Sequence, residues 1–408
     1  MKIFYIKKTI YLVFIILLIG GSLSFLSSCR KTQVKKEIEY FDDTSVITNT
    51  DETSNDINDS SKYKVALFTP RASDFWNRTA AFMKTAAKSL NIELYVFDAE
   101  SDHYLLLEQV KEVVSGNQKV DVVVFNNFKD TAAEIIQLAE ENHVYAFQFN
   151  SIMSPEKREE MGAPREKYKY WIGELYPDEL SIGKIMNTKI TEEAIRRNLI
   201  HNDQMVHLFG FNGPKLTGGA ISRRSALDQA IDDRDDIIID QIINIPNWSR
   251  DEVIKRFPTV YNRHPYVNII WTANANMASG VIDSLKQMGI KPGVDLLVSG
   301  YDMSAEVLQS IEDGEILWTL GGHSIDGAWV MVLLYDYLHD VDFATEFISR
   351  NQPMSAITAQ NIHLFKKINN LVLPDGSLKE IDFRKFTKYH NENLTKYEFY
   401  LEEVLKEL

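Results

Sequence analysis

Only one cysteine, Cys29, occurs in 408 residues, so no disulfide can close within the chain and no cysteine-built zinc site can form. Positive charge is short too: 44 Lys and Arg stand against 58 Asp and Glu, a formal net charge of −14. Nucleic acid is excluded as a partner, because phosphate binding needs clustered cations. There is no G-x-S-x-G elbow, G-x-x-x-x-G-K-[ST] loop, G-x-G-x-x-G fingerprint or H-E-x-x-H helix. No catalytic residues, no cofactor and no metal ligands are therefore expected. What remains is ordinary for a soluble globular chain, with 45% hydrophobic and 25% charged residues, and the length suits two lobes.

The N-terminus is the first feature with a function of its own. Lys2, Lys7 and Lys8 precede an apolar run at 10–19, short of the ~20 residues a membrane span needs. Leu26-Ser27-Ser28-Cys29 follows, which completes the order of an export signal; a plain N-terminal anchor is the competing reading. This ending resembles the bacterial lipobox, which implies cleavage before Cys29 and lipidation of its thiol. Arg30, where an Asp would resemble an inner-membrane retention signal, favours the outer membrane in a two-membrane bacterium. Residues 1–28 are thus expected to be a signal peptide, and 29–62 the lipidated cysteine and a polar tether. A tether of about 30 residues reaches roughly 30 Å.

From residue 63 the pattern alternates. Strand-type runs at 64–68, 93–97, 121–125, 144–149 and 171–175 are separated by helix-period stretches, and a second set follows at 206–209, 237–243, 267–272, 296–301 and 316–320. Such alternation predicts an α/β fold with two similar doubly wound parallel-sheet lobes. The lobes are expected at 63–175 plus 322–353 and at 176–321 plus 354–365, with a C-terminal extension at 366–408. Residues 151–170, charged and carrying Pro155 and Pro164, read as a surface insertion, and 353–365 as extended chain.

In parallel sheets ligands bind beyond the carboxyl ends of the strands. The residues there are Phe75 and Trp76 on the loop after the first strand, Asn126 and Asn127, Asn150, Trp248, Asn274 and Asp302. Asn and Asp at strand ends often serve turns and caps, and aromatics often serve the core. Their recurrence fits a polyhydroxylated neutral ligand, with amides and a carboxylate for hydroxyls and aromatic faces for C–H surfaces.

The motifs S-D-F-W-N, N-W-S-R-D-E, T-A-N-A-N-M-A-S-G, V-S-G-Y-D-M-S and I-E-D-G-E-I-L-W-T-L-G-G-H resemble those of type I periplasmic binding proteins of the ribose-binding class. The resemblance implies that Phe75 and Trp76 are paired stacking aromatics, that Trp248 closes from the other lobe, and that Asn274 and Asp302 contact the ligand. Two positions depart. Phe149-Asn150 replaces the Asp-Arg common in pentose and hexose binders, and Ile221 replaces the first Arg of an R-x-R-x-x-G-F run, leaving Arg223 in the second place. Arg223 is a candidate contact or an interlobe arginine. His323, beside Gly321-Gly322, faces the cleft or holds the hinge.

The resemblance further implies that the two lobes are joined by three crossing segments with a ligand cleft between them, and that the protein is a monomeric, exported, lipid-anchored solute-binding protein that closes on a sugar-like ligand and presents it to an ABC importer. A second reading is a receptor subunit signalling to the exported sensor domain of a kinase, cyclase or chemoreceptor. It draws on residues 151–170 and the C-terminal tail. A third is an exported enzyme using Asp302 with another carboxylate such as Glu174, which requires the two to meet.

Overall fold

The protein is described by a computed structural model covering residues 63–406 apart from 118, 233 and 372–377. The segments expected as signal peptide and tether, with Cys29, lie outside the described residues.

The first sheet contains β1 (Lys64–Thr69), β2 (Glu93–Asp98), β3 (Val122–Phe125), β4 (Tyr145–Phe149) and β5 (Trp171–Pro177). Its connecting helices are α1 (Asp74–Ser89), α2 (His103–Ser115), α3 (Ala132–Asn142) and the short α4 (Pro155–Met161). The second set runs α5 (Glu179–Arg196), β6 (Val206–Asn212), α6 (Gly218–Ile231), β7 (Ile237–Asn244) and α7 (Arg250–Arg263). It continues with β8 (Ile269–Thr272), α8 (Ala275–Gln287), β9 (Leu297–Tyr301), α9 (Ala305–Glu312) and β10 (Trp318–Gly321). The chain then returns through α10 (Asp326–Leu338), β11 (Ser349–Gln352), β12 (Ser355–Ile357), α11 (Ile362–Asn369) and α12 (Leu401–Lys406).

The two sheets share one order, β2-β1-β3-β4-β5-β11 and β7-β6-β8-β9-β10-β12. All pairings are parallel except β10 with β12. The chain passes between sheets three times: after β5, after β10 and between β11 and β12. Central strands are covered on both faces. In β1 and β3, Val65, Leu67, Val122 and Val124 join the core that includes α1, whereas Ala66, Phe68, Val123 and Phe125 join the core of α2 and α3. This is the two-residue alternation of a strand, and burial on both sides explains the unbroken apolar runs.

Three expectations need correction. Helix α1 starts at Asp74, so Phe75 and Trp76 stand on its first turn and not on a loop; Ser73 caps it, its hydroxyl accepting from Trp76 N at 3.3 Å. Residues 151–170 are no mere surface insertion, because Met153 and Met161 are buried in the first lobe's core and Arg158 pairs with the buried Glu174. The stretch expected as extended to 365 turns helical at Ile362, where an apolar face of Ile362, Phe365 and Ile368 has a core to bury in.

The C-terminal extension packs on α10. Phe399 stacks on the buried Trp329 at 4.9 Å, and Phe383 and Phe386 meet the same ring edge-on. Asp336 accepts from Lys388 N, Tyr389 N and the Tyr397 hydroxyl, while burial raises its pKa.

Candidate functional site

The common strand order places a reversal between β1 and β3 in one sheet and between β6 and β8 in the other. Loops leaving the carboxyl ends on the two sides of such a reversal diverge and open a crevice. Those loops line a cavity to which both lobes contribute. Its walls include Phe75, Trp76, Asn126, Asn127 and Asn150 from the first, and Arg223, Trp248, Asn274 and Asp302 from the second. Of the ligand contacts proposed from the sequence, only His323 lies just outside this wall. It borders an adjoining small pocket with Phe75 and Asp302.

The aromatic wall is built by local geometry. Capping at Ser73 sets the first turn of α1, and there Phe75 and Trp76 meet edge-on with ring centres 5.1 Å apart. Trp76 in turn leans on Phe149, and Phe75 on the His323 ring at 4.7 Å. Opposite them, Trp248 sits in a short turn after β7 with φ +56, a conformation rare for a bulky residue and sustained only by its surroundings. Gly213 supplies the room, since a Cβ there would stand 2.4 Å from the indole. The lobes also touch above the cavity: a Cβ at Gly218 would come within 2.8 Å of Ile152 O.

The polar groups divide into committed and free. Asn127 accepts from Ala132 N and donates to Ile152 O, and Asn274 caps α8 by accepting from Met277 N at 2.9 Å. Asn126 Oδ1 and Asn150 Oδ1 are buried without a hydrogen bond, and such acceptors are costly unless a ligand or water meets them. Arg223 is buried at 6% exposure; its Nε donates to Glu179 at 2.7 Å and its Nη atoms lie 3.3 and 3.4 Å from Asp302. The guanidinium also faces the Tyr301 and Trp248 rings at 4.9 and 5.5 Å. Those long contacts leave Asp302 with unspent acceptor capacity.

Burial decides the protonation here. It pushes Glu179 up to about 7 against the pull of Arg223, and it raises the Tyr301 hydroxyl as well. It works against the Arg223 cation too, yet Asp302 and Glu179 outweigh it and hold that pKa above its ordinary value. His323 is pulled down to about 4 by burial, with Asp302 opposing; its Nε2 stands 3.4 Å from Asp302 Oδ1. Sequence reasoning missed Glu179 and Arg71. Arg71 lines the cavity and burial lowers its pKa, with Asp302 and Asp98 opposing. Its place two residues past β1 was a usable signal; for Glu179, after the first passage between sheets, there was none. Glu174 is spent on Arg158 and Ser349 outside the cavity wall, which removes the carboxylate partner suggested for Asp302.

The family model described as periplasmic binding protein domain matches residues 65–339, two thirds of the chain. The chain belongs to that family. It is a type I periplasmic binding protein of the ribose-binding class, with the α/β two-lobed fold expected from its sequence. A periplasmic sugar-binding protein from Pseudomonas fluorescens superposes with a TM-score of 0.72 at 25% identity, covering 84% of this chain and 99% of that one. A myo-inositol binding protein from Caulobacter has the same fold at TM-score 0.63 and 14% identity, covering 76% of this chain and 98% of that one. The galactofuranose-binding protein YtfQ of Escherichia coli (strain K12) is 23% identical over 143 residues, 35% of this chain and 44% of the relative. The matched stretch thus spans less than half of that relative's length.

Proposed function

We propose that this periplasmic binding protein captures a neutral polyhydroxylated ring, a sugar or a cyclitol, by closure of its two lobes, and presents it as a monomer to an ABC importer. The observation that carries this is a cavity combining two unpaired amide oxygens, at Asn126 and Asn150, with the aromatic faces of Phe75, Trp76 and Trp248. Hydroxyls satisfy the first and C–H faces the second. Relatives that bind galactofuranose and myo-inositol support the class of ligand. The receptor-subunit reading is not favoured, because residues 151–170 and the C-terminal extension, its grounds in the sequence, are spent on packing.

The test is a thermal-shift screen of the protein from residue 63 onward against furanoses, pyranoses and cyclitols. A ligand at 100 times its Kd stabilises by about 2.7 kcal/mol. Asn126→Ala should weaken any hit about tenfold while leaving unliganded stability unchanged or higher, since it removes an unpaired buried group. Equal affinity in the variant would sink the assignment of Asn126, and a panel without hits would sink the polyol reading. Small-angle scattering of a hit reads closure as a smaller radius of gyration.

Export and anchoring through Cys29, with the outer membrane favoured, belong to the same proposal and are supported by the Leu-Ser-Ser-Cys ending. Cells fed a labelled fatty acid should label the protein and not its Cys29→Ser variant; equal labelling of the two, or none in either, would refute lipid anchoring through Cys29.

A further inference from the structure

At the end of the second sheet opposite the cleft, His201, Asp203 and His207 bring three potential ligand atoms within 4.8 Å of one another. His207 lies near the amino end of β6, whereas the cavity lies beyond its carboxyl end, about 17 Å away at strand rise. The His207 side chain is 8% exposed and stands between two carboxylates: Nε2 is 3.1 Å from Asp203 Oδ2, and Nδ1 is 3.0 Å from Asp240 Oδ2. A neutral imidazole has one N–H and can serve only one of them. The other nitrogen then directs a lone pair at a carboxylate, a contact that requires a cation between them or a second proton on the ring. His201 discriminates between these, because its Nδ1 is a third donor, 3.7 Å from the other oxygen of Asp203. Donor atoms sharing a tetrahedral ion at ~2.1 Å sit ~3.4 Å apart; here the two imidazoles flank the two oxygens of one carboxylate, His207 Nε2 3.1 Å from Oδ2 and His201 Nδ1 3.7 Å from Oδ1.

We propose that His201, Asp203 and His207 form a binding site for a divalent cation of the zinc class, separate from the cleft. His207 Nε2, an Asp203 oxygen and His201 Nδ1 are the ligands. Asp240 accepts the Nδ1 proton of His207 and so fixes the tautomer that leaves Nε2 free, the role outer-shell carboxylates play at metal histidines. Two imidazoles and one carboxylate select zinc, nickel or copper over magnesium and calcium, which favour oxygen. The ion would pin the loop between α5 and β6 to the first residues of β6, while the exposed side of Asp203, at 47%, leaves a coordination position open. The histidine pair with its intervening acid, H-x-D-x-x-x-H, was present in the sequence but meant nothing until the loop folded back on β6.

The test is calorimetric titration and thermal shift of the protein with Zn²⁺ alone, reversed with EDTA, and with Ca²⁺ as control. One equivalent of Zn²⁺ should bind and raise the midpoint, and Ca²⁺ should do neither. His201→Gln and Asp203→Asn change solvent-facing groups, so they should fold normally and lose the zinc response. Asp240→Asn, which touches no metal, should weaken binding about 10–100-fold. Absence of zinc binding, or one equivalent bound equally well by His201→Gln and Asp203→Asn, would overturn the proposal.

Discussion

His323 shows how a single residue carries both packing and electrostatics. Its ring lies under Phe75 and beside Asp302, and burial lowers its pKa from 6.5 to about 4. With the folded pKa below the unfolded one, the unfolded chain takes up the proton first as pH falls. Stability is therefore full above pH 6.5 and declines toward pH 4, by up to about 3 kcal/mol. His323→Gln should flatten the dependence of the urea midpoint on pH between 7 and 4.5; parallel curves for the two proteins would contradict the buried neutral ring. Legibility at this scale followed chemistry. Strand-end Asn and aromatic residues were readable as candidates because their positions are set by the alternation of elements. Which amides are free was not, because Asn127 and Asn274 spend theirs on backbone groups that only the folded loops bring near.

Elements were legible in kind and less so in extent. The start of α1 was misplaced by five residues, because the apolar period begins at Thr79 while the helix is set by the Ser73 cap and Asp74 in the first turn. The cap matters to function, since it orients the Phe75-Trp76 pair. The C-terminal extension was opaque, because its aromatics fall in short clusters, Phe383 to Tyr389 and Tyr397 to Tyr400, on a chain that forms only short turns and so sustains no helix or strand period. They acquire a role only against Trp329. Phe399→Ala should cost about 3–5 kcal/mol by emptying a packed site on α10, read as a lower denaturant midpoint, without changing ligand affinity. A loss below 1 kcal/mol would mean that the extension is only loosely applied to the lobe.

For the whole molecule, two sheets with the same strand order bring the carboxyl ends of their strands to one cavity, where Asn126, Asn127, Asn150, Asn274 and Asp302 stand just past strands or at a helix cap and Arg223 reaches in from α6. The sequence by itself determined the α/β class, the two-lobed design and the strand-end residues, because apolar runs interleaved with helical periods admit few arrangements of parallel strands. The tertiary structure alone decided which residues meet: Arg71 entering the cleft, Glu179 neutralising toward pH 7 beneath Arg223, and His201 approaching His207 across a loop. The physical reason is range. Propensity and period act over neighbouring residues, whereas burial, desolvation and coordination depend on partners tens to hundreds of residues away.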